Sequence, residues 1–130
     1  MANPGVPQRD CPCGTGRSFA ECCEPLHEGA RAAATAVELM RSRYAAYVVG
    51  DDGYLARTWH PRTRPASIDA AGGPQWLGLS VISTADGRDG DREGEVEFEA
   101  AYDGGVLHER SRFVRRAGRW VYLDGDVTSS

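Results

Sequence analysis

All four cysteines of this chain, Cys11, Cys13, Cys22 and Cys23, fall within thirteen of its 130 residues. Their spacing, C-x-C-x8-C-C, gathers four sulfur donors around one point, and four thiolates complete the closed tetrahedral shell of a structural zinc site. In a small secreted chain the same count would point to disulfides. Here no export signal is apparent, and about a hundred further residues can supply a core of their own. One zinc ion is therefore the expected cofactor, although an iron ion or an oxidised form suits the same donors. Gly14 and Gly16 can take positive φ, which lets the chain double back after the first pair, and "RSFAE" then forms about one helical turn that delivers Cys22 and Cys23. A closed four-sulfur shell leaves no position for an activated water, so the metal is expected to be structural. His27 is an alternative ligand, but four thiolates make it unnecessary and it reads as a surface or packing residue.

The elements that must carry this knuckle begin after a composition shift. Residues 1–29 are rich in Cys, Pro and Gly, and the boundary falls near Glu28 and Gly29. From Ala30 onward the chain reads as regular structure, giving an organisation of knuckle (1–29) and folded domain (30–130). "TAVE", Thr35 to Glu38, has the form of a capping box, and Val37, Met40, Tyr44, Tyr47 and Val48 follow with helical spacing up to Gly50. "DDGYLARTWHP" predicts a second, shorter helix stopped at Pro61, and residues 61–75 read as a loop. Four strands follow in "WLGLSVIST", "EVEFEAAYD", "VLHERSRFVRR" and "RWVYLDGD", separated by Gly/Asp-rich turns. Helices followed by an antiparallel sheet make an α+β domain with the helices on one face of the sheet.

Composition bounds what this domain does. The chain is 41% hydrophobic and 26% charged, carries a net charge of -4, and its 15 basic residues are all arginine. That balance argues against broad nucleic-acid binding, and no apolar run approaches the ~20 residues of a membrane helix. The lead "MANPGVPQRD" is polar and reads as a flexible segment, and a cytoplasmic location is the default expectation.

Two resemblances add to this reading. "CPCGTGRSFAECC" resembles the SEC-C motif, a zinc-binding sequence also found at the C-terminal end of the SecA preprotein-translocation ATPase, where it docks a chaperone and contacts lipid. Thr15 stands where serine is usual. "LMRSRYAAYVVGDDGYLARTWHPRTRP", "WLGL" and "LHERSRFVRRAGRWVYLDGD" are similar to the YchJ family of small bacterial proteins, which join a SEC-C motif to a nuclear transport factor 2-like domain. The resemblance places the metal ligands on Cys11, Cys13, Cys22 and Cys23. It implies a cone of helices wrapped by a curved sheet, a fold that hosts dehydratases, isomerases and plain binding modules alike.

A cone of this kind leaves a pocket. On "VLHERSRFVRR" one strand face carries Leu107, Glu109, Ser111 and Phe113, so Glu109 points inward with the apolar residues. A buried carboxylate needs a partner, and Arg41 or Arg43 from the first helix and His60 after the second are the candidates. Tyr44, Tyr47, Trp59, Phe98, Tyr102 and Tyr122 are the candidate aromatic walls, and Ser111 and Arg41 the polar ones. One reading makes His60 and Glu109 a general acid/base pair of a lyase, isomerase or hydrolase. The other makes Glu109 a salt-bridged core carboxylate in a non-enzymatic protein, whose knuckle docks a protein partner through "GTGRSFAE" and whose cone holds a small ligand or dimerises. Asp124 and Asp126 read as turn acids. Membrane insertion is not expected, and a lipid contact like that of SecA is the weaker third idea, because the N-terminal segment lacks a polybasic patch.

Overall fold

The computed structural model describes residues 9–129, so residues 1–8 of the lead expected to be flexible lie outside the described residues. The chain makes a 3-10 turn at Phe19–Glu21, then helices α1 (Glu24–His27), α2 (Ala36–Val49) and α3 (Asp52–Arg57). Four strands follow, β1 (Trp76–Asp86), β2 (Glu93–Tyr102), β3 (Gly105–Arg116) and β4 (Arg119–Ser129). They pair antiparallel in the order β1-β2-β3-β4. This is the α+β arrangement expected, small helices packed against a four-stranded sheet.

Helix α2 starts where the capping residues place it. Thr35 Oγ1 accepts the Glu38 backbone N–H at 3.1 Å, while the Glu38 carboxylate reaches back to the Ala34 N–H at 2.8 Å, one residue earlier than a standard capping box. Gly50, at φ 80°, ends the helix in the left-handed conformation that glycine takes without strain. The helix comes very close to the sheet at its first turn. Gly87 O accepts the Ala36 N–H at 2.9 Å, and a Cβ on Gly94 would meet the Gly87 backbone and sit 3.1 Å from the Ala36 Cβ. Glycine at 87 and 94 is thus what lets α2 lie on the inner face of the sheet. Val48 departs from the expected apolar stripe, being 39% exposed, because the buried face turns instead through Leu39, Met40, Arg43 and Ala46.

The sheet follows the period-two pattern of its sequence. Val96 and Ala100 of β2 are buried beneath α2 while Glu99 is exposed, as alternation requires. Asp124 and Asp126 are not turn acids but lie within β4 on the outer face, where both receive the Arg112 guanidinium, at 2.5 Å and 3.1 Å. The β3–β4 turn is Ala117–Gly118, both at positive φ (52° and 80°), the primed two-residue geometry that matches strand twist.

Three apolar clusters result. The first joins all four cysteines and Phe19 to Tyr44 and Ala45 of α2 and to Ala100 of β2. The second lies between α2 and the sheet around Phe113 and Trp120. The third joins Leu26 of α1 to Ala46, Tyr54 and Leu55. The knuckle therefore shares its core with the folded domain instead of swinging on the linker near Gly29.

Candidate functional site

The knuckle is built by backbone that only glycine makes easily. Gly14 and Gly16 sit at φ 86° and 84°, Cys11 N–H closes the loop onto Arg17 O at 2.8 Å, and the 3-10 turn then presents Cys22 and Cys23. All four sulfurs lie within 4.8 Å of one another, are buried, and form no disulfide. Cys13 and Cys22 are 3.6 Å apart, Cys22 and Cys23 3.9 Å. Four sulfurs at about 2.3 Å from a tetrahedral ion would be about 3.8 Å from each other, so the donors fit a single metal. Their electrostatics agree. The hydrogen bond from Cys23 draws the Cys13 thiol down to about 4, and that same contact together with burial pushes Cys23 up. Burial raises Cys11 to about 11. Four adjacent sulfurs do not all ionise on their own, and a divalent cation at their centre would balance them.

Two side chains tie the knuckle to α2. Arg41, expected in the pocket, instead donates from its guanidinium to Cys13 O at 2.6 Å, because it sits on the knuckle side of the helix. His27 is a packing residue, 9% exposed, with its ring against Phe19 and Tyr54. Its Nε2–H donates to Ser42 O at 2.8 Å, which fixes the proton on that nitrogen and leaves Nδ1 facing Asp51 Oδ2 at 3.9 Å.

Between α2 and the sheet lies a cavity of about 280 Å³, and Tyr44, Tyr47, Trp59, Phe98, Glu109 and Ser111 all line it. His60 and Arg41 are not on its wall. The His60 N–H donates to Tyr122 O at 2.8 Å and its Nδ1 accepts the Arg62 N–H at 3.1 Å, so the imidazole serves the turn after α3. The structure does not bring His60 and Glu109 together.

No arginine binds Glu109 among the described residues. Its Oε2 accepts hydrogen bonds from Ser111 Oγ at 2.6 Å and Tyr122 Oη at 2.8 Å, while Oε1 has no protein partner among the described residues. Burial and the adjacent Glu109 charge hold the Tyr122 phenol above its ordinary pKa, which keeps it a donor. Gly125, opposite Ser111 on β4, makes the room: a Cβ there would collide with Glu109 Oε2.

Arg43 is the other polar anchor, 6% exposed and on the same wall. One amino group donates to Leu55 O at 2.9 Å and Thr58 Oγ1 at 2.7 Å, and the guanidinium lies 4.8 Å from the ring centres of both Trp59 and Tyr122. Burial lowers its pKa from the usual arginine value while the tyrosines and Glu109 act the other way, and a guanidinium stays charged. Trp76, which sequence reasoning placed only in a strand, completes the wall against Tyr44 and Tyr47. The indole N–H groups of Trp59 and Trp76 are buried with no hydrogen-bond partner among the described residues. Tyr102 packs on Trp76 and does not line the cavity.

Comparison with known proteins gives the same two parts. Residues 35–125 match the family model described as "YchJ, middle NTF2-like domain", and residues 10–25 match the SEC-C motif. A UPF0225 protein of Streptomyces coelicolor is 54% identical over 121 residues, covering 93% of this chain and 98% of its own. One from Deinococcus radiodurans is 49% identical, over 95% and 98% of the two chains. Among solved structures, a SEC-C motif containing protein from Rhodopseudomonas palustris superposes with a TM-score of 0.79 at 35% identity, over 91% of this chain and 98% of that one. Another, from Psychrobacter arcticus, gives 0.70 at 30% identity, over 98% and 80%. With four cysteines gathered beside a helix-covered antiparallel sheet, and relatives of matching length at about half identity, the chain belongs to the YchJ family.

Proposed function

We propose that this protein is a metal-stapled binding protein whose cavity takes a small bipolar molecule, with an acidic oxygen group at one end and an amine or comparable donor at the other. The observation that carries this reading is the separation of Arg43 and Glu109: both line one cavity, each is held by uncharged partners, and no ion pair joins them among the described residues. A ligand of one charge would pair with one of them and leave the other uncompensated in a low-dielectric space. A bipolar ligand satisfies both. The size supports a small molecule, since drug-sized sites run to about 300–1,000 Å³, and the aromatic walls suit an apolar body between the two ends. Calorimetry with amino acids, each beside its matching simple amine and simple acid, tests the idea. The amino acid should bind at least about tenfold tighter than either control, and Glu109→Gln should erase the advantage over the acid, in line with about 1.5–3 kcal/mol for a hydrogen bond to a charged group. Equal binding of all three compounds, or none, would sink the proposal.

For the knuckle we propose one structural zinc ion, supported by the tetrahedral sulfur spacing, and a role in docking a protein partner. Gly14, Thr15, Gly16 and Arg17 are exposed beside four buried cysteines, which supports docking through this loop. Free thiols suit a cytoplasmic location, and no helix among the described residues is long and apolar enough to cross a membrane. Arg17→Glu should abolish partner capture with metal content unchanged; capture that survives it would remove this loop from the interface. The catalytic reading would now rest on Glu109 without His60, and no observation favours it over binding.

A further inference from the structure

A second hollow, of about 470 Å³, lies between the segment after α1, the end of α3 and the β3–β4 hairpin. Five arginines are among the residues that line it, Arg31, Arg57, Arg64, Arg116 and Arg119, and no acidic residue is, among the described residues. That is a third of the arginines in a chain whose acidic residues outnumber them, 19 to 15. Three of the five are held in place. Arg57 donates to Leu26 O at 3.2 Å and His27 O at 2.6 Å and lies over the Tyr54 ring, Arg64 donates to Trp59 O at 3.1 Å, and Arg31 pairs with Glu38 Oε2 at 3.0 Å. The bonds of Arg57 and Arg64 are to backbone carbonyls, which orient a guanidinium without cancelling its charge.

Arg116 and Arg119 differ. They face each other directly across the hairpin, and neither side chain has an ion pair or hydrogen bond among the described residues. Like charges in directly opposed strand positions repel, so an anion bridging them would relieve an interaction the folded chain otherwise carries. Guanidinium forks match phosphate and carboxylate oxygens two at a time. The hollow also has an apolar floor, in which Trp120 and Trp59 take part.

We infer that this arginine hollow is a second binding site, distinct from the aromatic cavity, for a small organic anion bearing two or more negative charges, of the phosphate-ester or polycarboxylate type. It shares the Trp59 wall with the first site but neither Arg43 nor Glu109, and shifts at 116–119 tell the two sites apart. Titration of the full chain with inorganic pyrophosphate and with citrate, followed by amide chemical shifts at constant ionic strength, tests it. The expected result is saturable binding of at least one, with shifts at residues 57–64 and 116–119 and at least about a tenfold loss in the Arg116→Ala/Arg119→Ala double variant. The tighter of the two probes identifies the anion class. Thermal melting of the double variant verifies its fold, and Arg64→Ala, in an irregular loop, gives an independent second loss. Shifts that sodium chloride reproduces at equal ionic strength, or binding unchanged in both variants, would overturn the inference.

Discussion

Gly125 has no side chain to offer the cavity, yet the position of the Glu109 carboxylate depends on it. A methyl group there would meet Oε2 and drive the carboxylate off the hydroxyls of Ser111 and Tyr122. Gly125→Ala is therefore expected to lower stability by about 1–3 kcal/mol, the range for overpacking, and to weaken any ligand held by Glu109. Denaturant unfolding beside calorimetry checks both, and an unaltered ligand affinity would mean that the carboxylate is not what holds the ligand. A different residue carries strain of a simpler kind. Ala117 sits at φ 52°, where a Cβ is unfavourable by about 1–2 kcal/mol. Ala117→Gly should raise stability by about 0.5–1 kcal/mol after the extra chain entropy of glycine is subtracted, readable as an upward shift of a few degrees in melting temperature. On the outer sheet face, Glu97 accepts His108 Nε2 at 2.6 Å and Arg110 at 3.2 Å. The His108 hydrogen bond, then that of Ser83, holds its carboxyl below the ordinary 4.5. A depressed carboxylate stabilises the fold above its unfolded value and loses that contribution as pH falls through the folded one. Glu97→Gln should accordingly leave a shallower fall in melting temperature between pH 5 and pH 3 than wild type, whereas an identical acid limb would show that the pair contributes nothing.

Helix α2 is the element on which both sites depend. Its Arg41 holds the knuckle and its Arg43 and Tyr44 line the cavity, so neighbouring residues on its turns serve two different chemistries. The Thr35 cap fixes where those turns begin, and Thr35→Ala should cost about 1 kcal/mol, measured by denaturant unfolding, with no change in metal content. Much of this element was legible beforehand, because a cap, a left-handed glycine and a 3.6-residue period are local signals. Its outward turn at Val48 was not, since a buried Arg43 and Ser42 break the apolar pattern and depend on partners far along the chain. The same limit explains His60 and Arg41. Sequence proximity to a helix end made His60 a plausible partner of Glu109, but the backbone bond from His60 to Tyr122 in β4 decides where the ring goes. By contrast Ser111, two residues from Glu109 on the same strand face, followed from the alternation of β3 alone. The cysteine cluster was the most legible feature of all, since its four donors lie in one short window and need nothing distant to assemble.

At the scale of the whole molecule, the knuckle and the cavity share a wall. Tyr44, Ala100, Trp76 and Phe98 pack against the cysteine cluster and also line the cavity. Loss of a metal held by the cysteines should therefore do more than unravel residues 9–23. Cys22→Ser/Cys23→Ser, or chelation of the wild type, is expected to lower the melting temperature by several degrees, since an ion bound only by the folded state stabilises it, and to weaken ligand binding in the cavity as well. Metal content by elemental analysis, melting and calorimetry on the same samples would show a knuckle independent of the cavity if only the first two changed. The central claim, that the cavity receives a small bipolar ligand, is tested most directly by the indole N–H resonances of the three tryptophans during titration with amino acids. Trp59 and Trp76 have buried N–H groups without a partner among the described residues, whereas Trp120 already donates to Ala34 O at 3.1 Å and serves as an internal control. The account predicts saturable shifts of the Trp59 and Trp76 indoles with Trp120 unmoved. Indoles of Trp59 and Trp76 that stay still for every amino acid, or move no more than Trp120, would contradict it.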